Sequence, residues 1–201
     1  MPRRNSTSER RKEQTLEAAR ILFAERGFAA VTMDDIAAAV GVTKPLLYTY
    51  FGNKEGLYLA CMEPAAAALV DTVAAAVEAT ETRAETLRAG VHAFFIFVDA
   101  DRDAWRVLFA ETLPAGAEPA RRAAEQRERL TSLVANAQLE RLPEERREAA
   151  RVEVEAISAA MLGAAEALAR WWLRTDAIPA AQAAELLVRT IEHGLIPRHA
   201  A

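Results

Sequence analysis

Thr32-Met33-Asp34-Asp35-Ile36-Ala37-Ala38-Ala39-Val40-Gly41-Val42-Thr43-Lys44-Pro45-Leu46-Leu47-Tyr48-Thr49-Tyr50-Phe51-Gly52-Asn53-Lys54 is the stretch on which the reading of this chain turns. Thr32 followed by Asp35 three residues on is a capping-box pattern. The hydroxyl can accept a freed backbone N–H, and the carboxylates of Asp34 and Asp35 favour the positive end of a helix dipole. Met33, Ile36, Ala37 and Val40 recur at i, i+3, i+4 and i+7, so a helix of about two turns buries one side. Gly41 ends it, Val42 is an apolar plug, and Thr43 stands as the next N-cap. Pro45 falls in the first turn, where a missing N–H costs nothing. A further short helix is therefore predicted from Lys44 to Phe51, closed by Gly52 and Asn53, with Asn53 able to cap another helix from Lys54.

Two short helices across a Gly-centred turn form a helix-turn-helix, whose second helix fits a major groove. The same spacing serves a corner in a helical bundle. The exposed face separates the two readings: Leu47 and Phe51, four apart, can face a core, which leaves Lys44, Leu46, Tyr48, Thr49 and Tyr50 on the surface. Tyrosines beside a lysine suit phosphate and base-edge contacts better than a plain wet surface. Upstream, Leu16, Ala19 and Phe23 mark one face of an amphipathic helix over residues 9–26, and Gly27 supplies its left-handed end.

Composition sets the frame around this stretch. The 201 residues hold 52% hydrophobic and 27% charged side chains with a net charge of −4, enough apolar surface for a core and too little net charge for global disorder. Eight Gly and eight Pro are few, whereas 46 residues are Ala, so an all-α fold is expected. Net acidity argues against a nucleic-acid partner, but its distribution reverses that. Residues 1–56 carry nine Lys and Arg against seven Asp and Glu, the rest sixteen against twenty-two, and the three lysines are Lys12, Lys44 and Lys54. Arg3, Arg4, Arg10 and Arg11 could reach phosphates or a minor groove, or lie in a disordered tail, and residues 1–9 are expected to be a disordered basic tail. A single cysteine, Cys61, excludes an internal disulfide, and no apolar run follows the basic N-terminus, so a cytoplasmic protein is expected. The most apolar stretch, 64–77, is interrupted by Asp71, and no membrane span or membrane partner is expected.

The run 32–37, then Gly41-Val42-Thr43, then Leu47-Tyr48-Thr49-Tyr50-Phe51-Gly52-Asn53-Lys54-Glu55-Gly56-Leu57 resembles the DNA-binding domain of the TetR family of bacterial regulators. The resemblance covers about residues 10–60; beyond it the chain is similar only in helicity and length. It implies a DNA-binding domain over 1–56 and a helical effector-binding and dimerisation domain over 57–201. It also implies a homodimer that binds a palindromic double-stranded operator and a small-molecule effector that releases it, as for a repressor. Carried over by position, Thr32 and Tyr48 are similar to phosphate-holding residues, and Thr43 is counted with the DNA-binding residues. Tyr50 and Lys54 sit where the family clamps the backbone, and Lys44, Pro45, Leu46 and Thr49 where base edges are read. Leu46 departs from hydrogen-bonding readout, and either contact with a thymine methyl or no readout at all is expected there.

Breaks at 80–83, 99–103, 114–119, 143–145 and 176–179 divide the remainder into helices, about nine in total. A helix of about 30 residues between Glu144 and Arg174 places Val154, Ile157, Met161, Ala164, Leu168 and Trp171 at alternating steps of three and four, and Ala183, Leu187, Thr190 and Gly194 continue on the last helix beside Ile191. Ile157, Met161, Ala164, Leu168, Leu187 and Ile191 are the candidate dimer interface, although such a stripe can also pack within one subunit. Met62, Phe94, Phe95, Trp105, Phe109 and Trp171 are the candidate lining for a small hydrophobic effector; aromatics at this spacing serve equally as core. No Gly-rich phosphate loop, GxSxG or HExxH occurs, and His92, His193 and His199 are scattered, so no enzyme, cofactor or metal is expected. The alternative is an all-helical small-molecule-binding protein or enzyme without DNA binding.

Overall fold

A computed structural model describes residues 3–110 and 113–193, with side chains from Ser8 to Glu192. The side chains of Arg3, Arg4 and His193, and all of Gly194 and His199, lie outside it. Among the described residues there are nine helices and no strand: α1 (Arg3–Ala30), α2 (Met33–Val40), α3 (Lys44–Phe51), α4 (Lys54–Glu78), α5 (Arg83–Ala100), α6 (Arg102–Leu108), α7 (Glu118–Glu140), α8 (Glu144–Thr175) and α9 (Ala180–His193). The five expected breaks separate α4 through α9. α1 is helical from Arg3, within the 1–9 stretch where a disordered tail is expected, and Gly27 interrupts the helix with φ 76°.

The chain folds as two compact units, 1–67 with 103–125 and 68–102 with 126–201. The boundary expected at residue 56 therefore falls inside α4, whose residues 54–67 belong to unit 1 and 68–78 to unit 2. α4 also passes the length and composition test for a membrane span, a test that core helices pass as well. It buries Leu57, Tyr58, Cys61 and Met62 in unit 1 and Leu69, Val70, Val73 and Val77 in unit 2.

In unit 1 the core is aromatic. Phe23, Phe28 and Tyr58 meet with ring centroids 4.9–6.0 Å apart, flanked by the fully buried Val31, Ile36 and Leu47. Removing side chains of this size from water contributes about 1.5–3 kcal/mol each. The buried Tyr58 hydroxyl donates to the Val107 carbonyl at 2.5 Å, which ties α4 to α6. In unit 2, α8 presents Val154, Ser158, Met161, Ala165, Ala169 and Trp172 to the interior. Trp172 Nε1 donates to the Ile178 carbonyl at 2.6 Å and its ring meets Phe95, so the α8–α9 turn is fastened to α5.

Candidate nucleic-acid interface

All but one of the local devices predicted for the 32–54 stretch have a counterpart in unit 1. Thr32 Oγ1 accepts from Asp35 N–H at 3.1 Å and Thr32 N–H donates to Asp35 Oδ2 at 2.8 Å. The Thr32 hydroxyl and N–H together hold the Asp35 carboxyl below the usual carboxylate range. Gly41 adopts φ 71°, ψ 35°, and its N–H returns to the Ala37 carbonyl; the left-handed conformation is where a side chain would be strained. Asn53 Oδ1 accepts from Gly56 N–H at 2.7 Å and starts α4. At Gly56 a Cβ would collide with the Phe51 carbonyl oxygen, so glycine permits the close approach of α3 to α4. Thr43 departs from expectation, for it stands at the N-cap of α3 but makes no side-chain cap hydrogen bond.

These joints leave α3 with one buried side chain, Leu47. Lys44, Pro45, Tyr48 and Thr49 are exposed, Tyr48 at 44%, while Leu46 and Tyr50 are half-buried. Thr49 Oγ1 donates to the Pro45 carbonyl at 2.9 Å, which leaves the oxygen free to accept. The Lys44 ammonium donates to Asp34 Oδ2 at 2.8 Å, and that hydrogen bond raises its pKa. The N-terminal part of α1 lies beside the far end of α3. The Ser8 and Tyr50 hydroxyls are 3.1 Å apart, and Lys12 Nζ stands 5.7 Å from the Phe51 ring centre. Arg10 and Arg11, on the same turn of α1, are exposed. Ser8 and Lys12 were not among the expected residues, and nothing in local spacing could place residues forty positions apart in contact.

Lys54, expected to clamp the DNA backbone, is engaged within unit 1 in this structure. Its ammonium lies 4.4 Å over the Phe28 ring and donates to the Ala29 carbonyl at 3.4 Å, and burial lowers its pKa. In this conformation it braces α4 against the end of α1.

The expected effector lining is divided. Met62, Trp105 and Phe109 are buried in unit 1 and Phe94 and Phe95 in unit 2, while Trp171 is 38% exposed. Unit 2 holds an apolar cavity of about 50 Å³ lined by Val73, Gly90, Phe94, Leu130, Thr131, Val134, Ser158, Met161 and Leu162, among others. Phe94 is the single residue of the expected lining on its wall. A second cleft, about 400 Å³, lies among His92, Phe95, Ile96, Asp99, Ala100, Ala180 and Ala181. Of the expected dimer residues, Met161 and Leu187 are buried inside the protomer, and Met161 faces the cavity. Ile157 and Ala164 are exposed, and Leu168 and Ile191 are half-buried. No group of His, Cys, Asp and Glu able to hold a metal occurs among the described residues. The Cys61 thiol is buried and its pKa is pushed up to about 12 by desolvation, which leaves it unreactive.

Comparison with known proteins agrees with this architecture. Residues 16–61 match the pattern of bacterial regulatory proteins of the tetR family, and residues 83–194 that of a tetracyclin repressor-like C-terminal domain. The chain is 41% identical over 99 residues to the HTH-type transcriptional activator FasR of Mycolicibacterium smegmatis, covering 49% of this chain and 45% of that one. It is 32% identical over 104 residues to the HTH-type transcriptional regulator BetI of Rhizobium meliloti, covering 50% and 51%. The chain thus spans about half the length of these curated relatives. A TetR-like transcriptional regulator from Rhodococcus sp. RHA1 is similar over 92% of this chain and 95% of its own, with 32% identity and a TM-score of 0.74. The fatty acid degradation regulator FadR of Bacillus halodurans shares the fold at 20% identity and a TM-score of 0.76, over 94% of this chain and 97% of its own. With the C-terminal match alone covering more than half of its residues, the chain belongs to the TetR family of bacterial regulators.

Proposed function

We propose that this protein is a homodimeric transcriptional regulator that reads a palindromic operator with α3 and acts as a repressor released by a small hydrophobic ligand. The observation that carries the reading is the exposed row Lys44, Pro45, Tyr48 and Thr49 on α3, held out by a capped α2 and the Gly41 turn. Phosphate contacts come from Tyr48 and Tyr50 with the arginines of α1, and base contacts from Lys44, Pro45, Leu46 and Thr49. Subunit pairing uses the outward stripe of α8, Ile157, Ala164, Leu168 and Trp171, with Leu186 and Ile191 of α9. The apolar cavity of unit 2 is the effector site. At about 50 Å³ it is far below the usual 300–1,000 Å³ of a ligand pocket, so an effector enters by displacing wall side chains such as Leu130 and Met161. The protein works in the cytoplasm without cofactor or catalysis.

A gel shift with the DNA flanking its own gene, over a series of salt concentrations, tests this. Binding must weaken linearly in log–log form as salt rises. Absence of binding, or binding indifferent to salt, leaves a helical small-molecule binder. FasR is named an activator, so the sign of regulation needs a separate measurement, transcription from the bound promoter with and without the protein. A rise with the protein present contradicts repression.

A further inference from the structure

α3 carries a single cation, and in the structure it is engaged. Lys44 reaches back across the Gly41-Val42-Thr43 turn to Asp34, with the two side chains 44% and 70% exposed. Asp34 has no part in the capping box of α2, because Asp35 takes both the N–H and the hydroxyl of Thr32. Asp35 also already supplies a carboxylate to the positive end of the α2 dipole. From Thr32 to Asn53 the charges are Asp34 and Asp35 against Lys44, so the reading segment itself is net negative toward a polyanion. A carboxylate there lowers affinity for every duplex, and specificity often rests on such a repulsive element.

Resting on the assignment of α3 as the reading helix, we propose that Asp34 is a specificity-determining positioning residue: it holds the Lys44 ammonium over the groove edge and away from the phosphates. An ammonium has three N–H donors. One spent on Asp34 leaves two for the N7 and O6 acceptors of a guanine, so the base contact forms with the pair intact. A phosphate contact requires the pair to break. The pair therefore subtracts from sequence-independent binding and leaves the guanine contact in place. An exposed pair of this kind is weak in isolation, and its effect is expected on discrimination and salt dependence, with little on folding.

The experiment selects duplexes from a randomised pool with the full-length protein, then measures affinity for the selected site and for random-sequence duplex across salt. Asp34→Asn should bind random duplex about fivefold more tightly at about 0.15 M salt, with a log–log salt slope steeper by about 1.8, the share of two added phosphate contacts, one from each protomer. Preference at one base pair per half-site should relax about threefold or more, at the same position that Lys44→Met relaxes. In the Lys44→Met background, Asp34→Asn should change neither that preference nor the slope, since no lysine is left to release. Asp34→Ser, which retains a helix-start residue, should repeat the Asn result. An unchanged slope and preference in Asp34→Asn overturns the inference. So does a change of preference that persists without Lys44, which would make Asp34 a base reader in its own right. Failure of the wild type to enrich any sequence would instead bring down the DNA-reading assignment, and this inference with it.

Discussion

α2 and α3 are eight residues each and α8 is thirty-two, and the two regions are specified in different ways. In the short pair every boundary has a local cause. The Thr32–Asp35 box, the left-handed Gly41, Pro45 in the first turn of α3 and the Gly52 stop leave so few residues per helix that one periodic stripe can face only one way. α8 has terminal signals, Pro143 before it and the left-handed Asp176 after it, and nothing inside to say which of its stripes faces inward. Its outward stripe, Ile157, Ala164, Leu168 and Trp171, and its inward one, Val154, Ser158, Met161, Ala165 and Trp172, are offset by only one position. Short capped elements are thus defined by chemistry within a few residues, and long ones by what packs on them.

The largest test of this contrast is in unit 2. Trp172→Ala removes a side chain 1% exposed together with its hydrogen bond to Ile178 and should cost about 3–5 kcal/mol in urea unfolding. A loss under about 1 kcal/mol would mean that α8 is not held by its inward stripe. Next is the outward stripe: Leu168→Glu places an unpaired carboxylate in the proposed dimer surface, a penalty of about 3 kcal/mol or more. Sedimentation over a concentration series should then show monomers that stay folded and lose operator binding, since a palindrome needs two heads about 34 Å apart. A variant that stays dimeric moves the interface off α8.

Within unit 1, the comparison sharpens between two threonines in equivalent places. Thr32→Ala breaks a complete capping box and should lower stability by about 1 kcal/mol, whereas Thr43→Ala removes no cap bond and should cost only a few tenths. Equal losses would show that Thr43 caps α3 in solution. Lys54→Met keeps the apolar stem over Phe28 and removes the cation, a loss of about 0.5–1 kcal/mol. The salt slope of DNA binding should not change. A fall of about 2, one for each protomer, would mean that the ammonium leaves Phe28 for a phosphate on binding.

The smallest effect concerns pH and sets the two units side by side, for α5 opens on a second capping box, Thr82 with Glu85. Thr32 lowers the pKa of Asp35, and the N–H groups of Glu81 and Thr82 lower that of Glu85. A carboxylate whose folded pKa is depressed contributes stability above its unfolded pKa, about 4, and that contribution is lost as pH falls through the folded value. Asp35→Asn and Glu85→Gln should each flatten the acid limb of the stability curve. A limb unchanged in either variant would place the acid sensitivity elsewhere.

Legibility followed the same division. α3 runs from Lys44 to Phe51 as its Thr43-Lys44-Pro45 start and Gly52 stop require, and the exposed face follows because Leu47 is the one side chain turned inward. The resting place of the Lys54 ammonium was not legible, because it is set by Phe28 and Ala29, about twenty-five positions away. The aromatic run from Phe94 to Phe109 looked like one lining because its members are close in sequence. The chain passes from unit 2 to unit 1 at Asp103, which puts Trp105 and Phe109 in the core of one unit and Phe94 at the cavity of the other.

What the sequence determined by itself is the helical class, the nine-helix division among the described residues and the geometry of the helix-turn-helix. Caps, left-handed glycines and short periodic runs act over three or four residues, within reach of local hydrogen bonds and backbone sterics. What only the tertiary structure decided is which face of α8 is core, where the cavity lies, and which cations are paired within the fold. Those outcomes depend on burial and on pairs such as Lys44 with Asp34 and Lys54 with Phe28. They form only when distant segments meet, because the free energy of burying a side chain depends on what covers it and not on its neighbours in sequence.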